Sequence, residues 1–148
     1  MITLAKIEHR FQTNIEYFFN YVTDMENYAN WFPDVYRVEA TDKAIKNSVG
    51  KSYVEKLKLN GISTDLLIKV VRYEKNKLFI THGDLAPILP MMKMEFTEQG
   101  DDVLFELSYF SRNVDLSSET NLINTLSTDI QQRAIKSIEQ LKQIISNN

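Results

Sequence analysis

The chain has 148 residues, 43% of them apolar and 11% aromatic, a make-up that suits one folded globular domain and sets aside the disordered and fibrous classes. Its formal charge of -3 gives no long-range attraction for phosphate backbones, so nucleic acid is not the expected partner. Cysteine is absent, which rules out disulfides, thiolate metal sites and cysteine nucleophiles.

The opening run from Met1 to Glu8 meets charge too early to contain the apolar region of a signal peptide, and no stretch approaches the length of a membrane span. These features predict a cytoplasmic protein with no stable membrane insertion.

In chain order, Ala5, Ile7, His9 and Phe11 alternate with charged residues, the period of a half-buried strand. Thr13-Asn14-Ile15-Glu16 has the pattern of a capping box. Ile15, Phe18, Phe19 and Val22 follow at helical spacing, and Met25, Tyr28 and Ala29 mark a short second helix that ends where Pro33 restricts Phe32. Period two then returns over 35–40, 50–59, 63–73, 77–84, 91–98 and 103–110. Asn60-Gly61 and the polar run from Glu74 to Lys77 are short enough to make neighbouring strands antiparallel. From Ser117 to about Ile145 one apolar stripe carries Leu122, Leu126, Ile130, Ala134, Ile138 and Leu141, which predicts a single long helix. The sum is an α+β chain of about seven strands in one domain, with two short helices after the first strand.

Alternation sorts each strand into two faces. Tyr53, Glu55, Leu57 and Leu59 share one face while Lys56 and Lys58 take the other, so Glu55 is expected inside. Met92, Met94 and Phe96 oppose Lys93 and Glu95; Val103, Phe105, Leu107 and Tyr109 oppose Leu104 and Glu106; Leu66, Ile68 and Val70 oppose Lys69. For 77–84 the alternation puts Leu78, Ile80 and His82 on the inner face and Phe79 and Thr81 on the outer one.

The element order resembles the helix-grip domains, the superfamily of START lipid-transfer proteins, birch-pollen-type allergens and polyketide cyclases. Thr13 to Phe19 followed by Asp24, then Trp31-Phe32-Pro33-Asp34-Val35 and Val49-Gly50, are similar to the spaced signature of its bacterial polyketide cyclase/dehydrase and lipid-transport branch. The resemblance covers nearly the whole chain. It implies a curved sheet around the long C-terminal helix, and a pocket between them that holds a hydrophobic molecule.

Within that frame, Tyr53, Met92, Met94, Phe105 and Tyr109 are candidates for a deformable ligand wall, with Leu57, Ile68 and Ile80 beside them; ordinary core packing is the alternative. Leu126, Ile130, Arg133 and Ala134 face the sheet from the long helix, with Arg133 available to an anionic head group or to Glu55. Trp31 and Phe32 stand either as a gate or as a staple for the second helix. Glu55 reads as an acid/base or a polar anchor, and as the catalytic partner of His82 in a proton-transfer pair. The apolar run Leu85-Ala86-Pro87-Ile88-Leu89-Pro90 suits a lid, or a patch for another protein or a membrane.

The expected function is binding or transport of a hydrophobic small molecule such as a lipid, polyketide or aromatic metabolite. A cyclase, dehydrase or hydrolase using Glu55 and His82, with Tyr109 as hydroxyl donor, is the first alternative, and a protein-interaction module the second. No cofactor and no metal are called for, because two histidines without a spaced carboxylate make no metal motif. A monomer or homodimer is expected.

Overall fold

The first strand and the last one meet. β1 (Ile2–Phe11) pairs antiparallel with β7 (Asp102–Ser111), and the computed structural model, which describes residues 1–59 and 61–147, continues this sheet through five more strands. They are β2 (Val35–Ala40), β3 (Ser52–Leu59), β4 (Ile62–Glu74), β5 (Leu78–Asp84) and β6 (Pro90–Gln99). The order is β1-β7-β6-β5-β4-β3-β2, with every neighbouring pair antiparallel. The helix α1 (Ile15–Thr23) and a 3-10 segment (Met25–Asn30) lie between β1 and β2, and α2 (Thr120–Ser146) ends the chain after a second 3-10 segment (Val114–Ser118). This is the helix-grip arrangement.

The start of α1 departs from the expected capping box. Asn14, in extended backbone, is the cap, and its side-chain oxygen accepts from the Tyr17 N–H at 3.0 Å. With the helix beginning at Ile15, Asn14 rather than Thr13 occupies the cap position, which leaves Glu16 in the first turn, near Lys75 at 3.2 Å. The next segment is 3-10 rather than α; Asp24 caps it by accepting from the Glu26 N–H at 3.1 Å. Of the expected Asn60-Gly61 turn, Asn60 lies outside the described residues, and Gly61 has a φ of +77°, a conformation open to glycine.

The β5 faces are the reverse of those expected. Phe79 and Thr81 point inward, exposed by 0% and 3%, while Leu78, Ile80 and His82 lie on the outer face. Register decides this: Phe79 pairs with Met94 and Tyr73, and Thr81 with Met92 and Val70, all on the concave side. A bulge between Val70 and Arg72 takes up the extra residue of β4 and keeps both rows aligned.

The core is uneven along the sheet. At one end, Phe11, Phe18, Phe19, Phe96 and Phe105 interlock, with ring centroids 4.8 Å apart for Phe11 and Phe18 and 4.9 Å for Phe19 and Phe96. The C-terminal half of α2 belongs to this region and buries Ala134, Ser137, Ile138, Leu141 and Ile145. Its N-terminal half does not. Leu122 is exposed, and Leu126 and Ile130 are only half-buried, although they continue the same stripe. Between these halves, Gln131 clasps the free edge of β1: its side-chain oxygen accepts from the Lys6 N–H at 3.2 Å and its amide nitrogen donates to the Lys6 carbonyl at 3.3 Å.

Candidate functional site

Under the loosely packed half of α2 lies a cavity of about 120 Å³. Its floor is the concave face of the sheet, where Glu55 and Leu57 of β3, Leu66 and Ile68 of β4, Thr81 and Gly83 of β5, Met92 of β6 and Tyr109 of β7 meet. Small side chains on β5 leave this floor low. Gly83 has no side chain because none fits: a Cβ there would come within 2.7 Å of Pro90 Cγ and 3.2 Å of Leu66 Cδ1. Met25 and Tyr28 of the first 3-10 segment, with Phe32, close one side, and Leu126, Asp129, Ile130 and Arg133 of α2 form the roof.

Loop 85–90 closes the remaining end, with Leu85, Ile88 and Pro90 turned to the cavity and Ala86 and Pro87 exposed. It is tied to the chain just after β7. Asn113 donates to the Pro87 carbonyl at 2.8 Å, the Arg112 N–H to the Leu89 carbonyl at 2.9 Å, and the Ser111 hydroxyl to the Ile88 carbonyl. The Arg112 guanidinium also donates to the Gly83 carbonyl at 2.6 Å.

The polar groups gather at one part of this otherwise apolar space. Tyr28 and Tyr109 hydroxyls lie 2.6 Å apart, and Phe32 stacks on Tyr28 with centroids 4.9 Å apart. Burial holds both phenols well above the ordinary tyrosine range, so each keeps its proton at neutral pH. Glu55 is 7% exposed and has no hydrogen-bond partner among the described residues. Burial lifts its carboxyl from 4.5 to about 7, against the opposing pull of the Arg133 guanidinium. Arg133, in the roof, lies 3.1 Å from Asp129 through one terminal nitrogen and 3.7 Å from Asp34 through Nε. That Nε is buried and makes no hydrogen bond.

Of the residues singled out in the sequence, Phe32, Glu55, Leu57, Ile68, Met92, Tyr109, Leu126, Ile130 and Arg133 border the cavity. Others lie elsewhere. Ile80 and His82 are on the outer face, so His82 cannot exchange a proton with Glu55 across the cavity. Partial burial, and then the nearby Arg112, lower the His82 pKa. Met94 and Phe105 are fully buried in the packed core, where Phe105 lies 5.2 Å from Phe18. Tyr53 is 1% exposed with its hydroxyl directed to Asn47 Oδ1 at 3.4 Å, and Ala134 is fully buried at the packed half of α2. Trp31, 1% exposed, packs edge-on against Tyr28 at 4.9 Å and supports it from behind rather than bordering the cavity.

Tyr28 is the site residue the sequence pattern came closest to giving. Its three-residue offset from Met25 marks the buried side of a 3-10 turn, since such a turn brings i and i+3 into line. Thr81 and Gly83 carry no such signal, because a polar or absent side chain does not announce an inner face.

No family profile and no curated protein matches the chain. Solved structures do. A START superfamily protein from Mycobacterium smegmatis aligns over 98% of both chains with a TM-score of 0.74 and 14% identity. Ara h 8.0201 aligns over 97% of both chains, with a TM-score of 0.67 and 11% identity. The di-domain aromatase/cyclase StfQ of the steffimycin biosynthetic pathway is similar over 99% of this chain, which spans 51% of that protein, with a TM-score of 0.68 and 10% identity. The chain therefore has the START-like helix-grip fold.

Proposed function

We propose that this protein binds an apolar small molecule between the sheet and the N-terminal half of α2. The observation that carries this reading is the contrast within one helix: Leu141 is fully buried, yet Leu126 and Ile130 remain half-open above a cavity. Close-packed interiors do not leave such apolar walls unfilled without loss of contact energy, and a ligand restores those contacts. At about 120 Å³ the cavity compares with an engineered apolar cavity of about 150 Å³ that takes benzene. It suits one ring or a short branched chain. A sterol-sized ligand requires α2 or loop 85–90 to move. The inward Leu85 and Ile88 support the loop as a lid over this space.

The test is native mass spectrometry of the purified protein, followed by titration with one-ring apolar compounds. Met92→Trp fills the floor and is expected to abolish binding while the fold persists. Unchanged binding in that variant would place the ligand elsewhere.

A second reading, proton-transfer catalysis, draws on the Glu55 carboxyl, which burial places near neutrality, the range that serves a general acid or base. Here Glu55 carries the proton and Tyr109 donates its hydroxyl to developing charge, with no part for His82. Under it, Glu55→Gln removes turnover while binding survives, and His82→Ala leaves both unchanged.

A further inference from the structure

The polar part of the cavity holds donors that no acceptor reaches within hydrogen-bond distance among the described residues. In the bond between Tyr28 and Tyr109 one hydroxyl donates and the other accepts, which leaves one phenolic proton without a partner among the described residues. Arg133 Nε–H is buried and unbonded. Glu55, bordering the same space, is a third donor in its neutral form. The Asp129 carboxylate is already engaged by Arg133, and Thr81 has a hydroxyl that both gives and takes. A buried donor left without an acceptor costs about 1–3 kcal/mol, so an acceptor brought by a ligand is strongly selected.

Charge decides which acceptor. Asp34 and Asp129 stand against Arg133, at 3.7 Å and 3.1 Å. Two carboxylates more than offset one guanidinium, so a ligand carboxylate meets no net positive field and adds repulsion toward Glu55. A neutral oxygen acceptor meets three donors without that repulsion.

We infer that the occupant is a neutral carbonyl compound of one-ring size, its oxygen directed at Tyr109, Arg133 and Glu55 and its apolar body lying between Met92 and Ile130. This rests on the binding reading above and adds the head group. Near Glu55 stand Tyr28 of the 3-10 segment, Tyr109 of β7 and Arg133 of α2, and Arg133 in turn faces Asp129 and Asp34. Burial raises the Glu55 carboxyl to about 7. Its ionisation replaces a donor by a charge that repels the carbonyl oxygen, so affinity falls as pH rises.

Three one-ring probes of similar size test this by calorimetry: acetophenone, ethylbenzene and benzoate. At pH 6 acetophenone is expected to bind about tenfold more tightly than ethylbenzene, and more tightly than benzoate; one added hydrogen bond of ordinary strength accounts for that factor. At pH 8 its affinity should be roughly tenfold lower, and Glu55→Gln, which keeps an N–H donor, should remove that pH dependence. The infrared carbonyl band of bound acetophenone should shift to lower wavenumber, and less so in Tyr109→Phe. Equal affinity for acetophenone and ethylbenzene, or a preference for benzoate, overturns the carbonyl assignment while leaving the cavity as a binding site. If none of the probes binds, both readings fall together.

Discussion

Tyr28 and Tyr109 share a hydrogen bond of 2.6 Å across 81 positions of sequence, joining the first 3-10 segment to the last strand at the edge of the cavity. Trp31 and Phe32 hold Tyr28 in place through edge-on and stacked contacts at 4.9 Å each. The pair is therefore a built feature and not a chance approach of two flexible rings. Tyr28→Phe and Tyr109→Phe should each cost about 1 kcal/mol of stability, and the double variant less than the sum. Urea unfolding of all four proteins gives the coupling energy; strict additivity would show that the hydroxyls do not interact.

Glu55 makes stability depend on pH in a definite direction. Its carboxyl is raised from 4.5 to about 7 on folding, so its contribution is fully present below about pH 4.5 and is lost as pH rises to about 7. The difference is on the order of 3 kcal/mol, at 1.36 kcal/mol per unit. Glu55→Gln should flatten this window and be the more stable protein at pH 8. Melting curves from pH 4 to pH 8 read the effect directly.

Gly83→Ala places a methyl group 2.7 Å from Pro90 Cγ, too near for a ring fixed in the chain to ignore. The variant should lose about 1–3 kcal/mol as Pro90 and the loop before it are pushed outward. A binding assay and a urea melt should change together, since one displacement alters both lid and floor.

The two halves of α2 should respond differently to the same change. Leu141→Ala removes a fully buried side chain and should cost about 2–5 kcal/mol. Leu126→Ala, half-exposed over the cavity, should cost under about 1 kcal/mol and mainly weaken ligand affinity. Similar losses at both positions would mean that the upper half of the helix is packed as tightly as the lower.

Most of the architecture was legible because its signals are periodic and redundant. The lysines of β3 and β6 mark their outer faces, and the α2 stripe runs without interruption. Glu55 followed from the same logic: with Lys56 and Lys58 turned out, the carboxylate between Tyr53 and Leu57 had one face left. β5 was misread because Phe79 and Leu78 are equally apolar, so Lys77 and Thr81 broke the tie, and Thr81 is a small polar group used at the cavity floor. Which apolar residues border open space and which are in solid core was not legible at all. Met92 and Met94 share a strand face, yet the first borders the cavity and the second does not. That distinction depends on how far α2 stands from the sheet at each point along its length, a distance that no local pattern encodes.

The clasp between Gln131 and β1 bears on how molecules of this kind stay apart. An outermost strand presents unpaired main-chain groups that a neighbouring polypeptide can zip onto. By filling both hydrogen-bonding positions of Lys6 with one side chain, the terminal helix acts as a one-residue stand-in for a missing strand, and recruitment of another chain along that border is blocked at its midpoint.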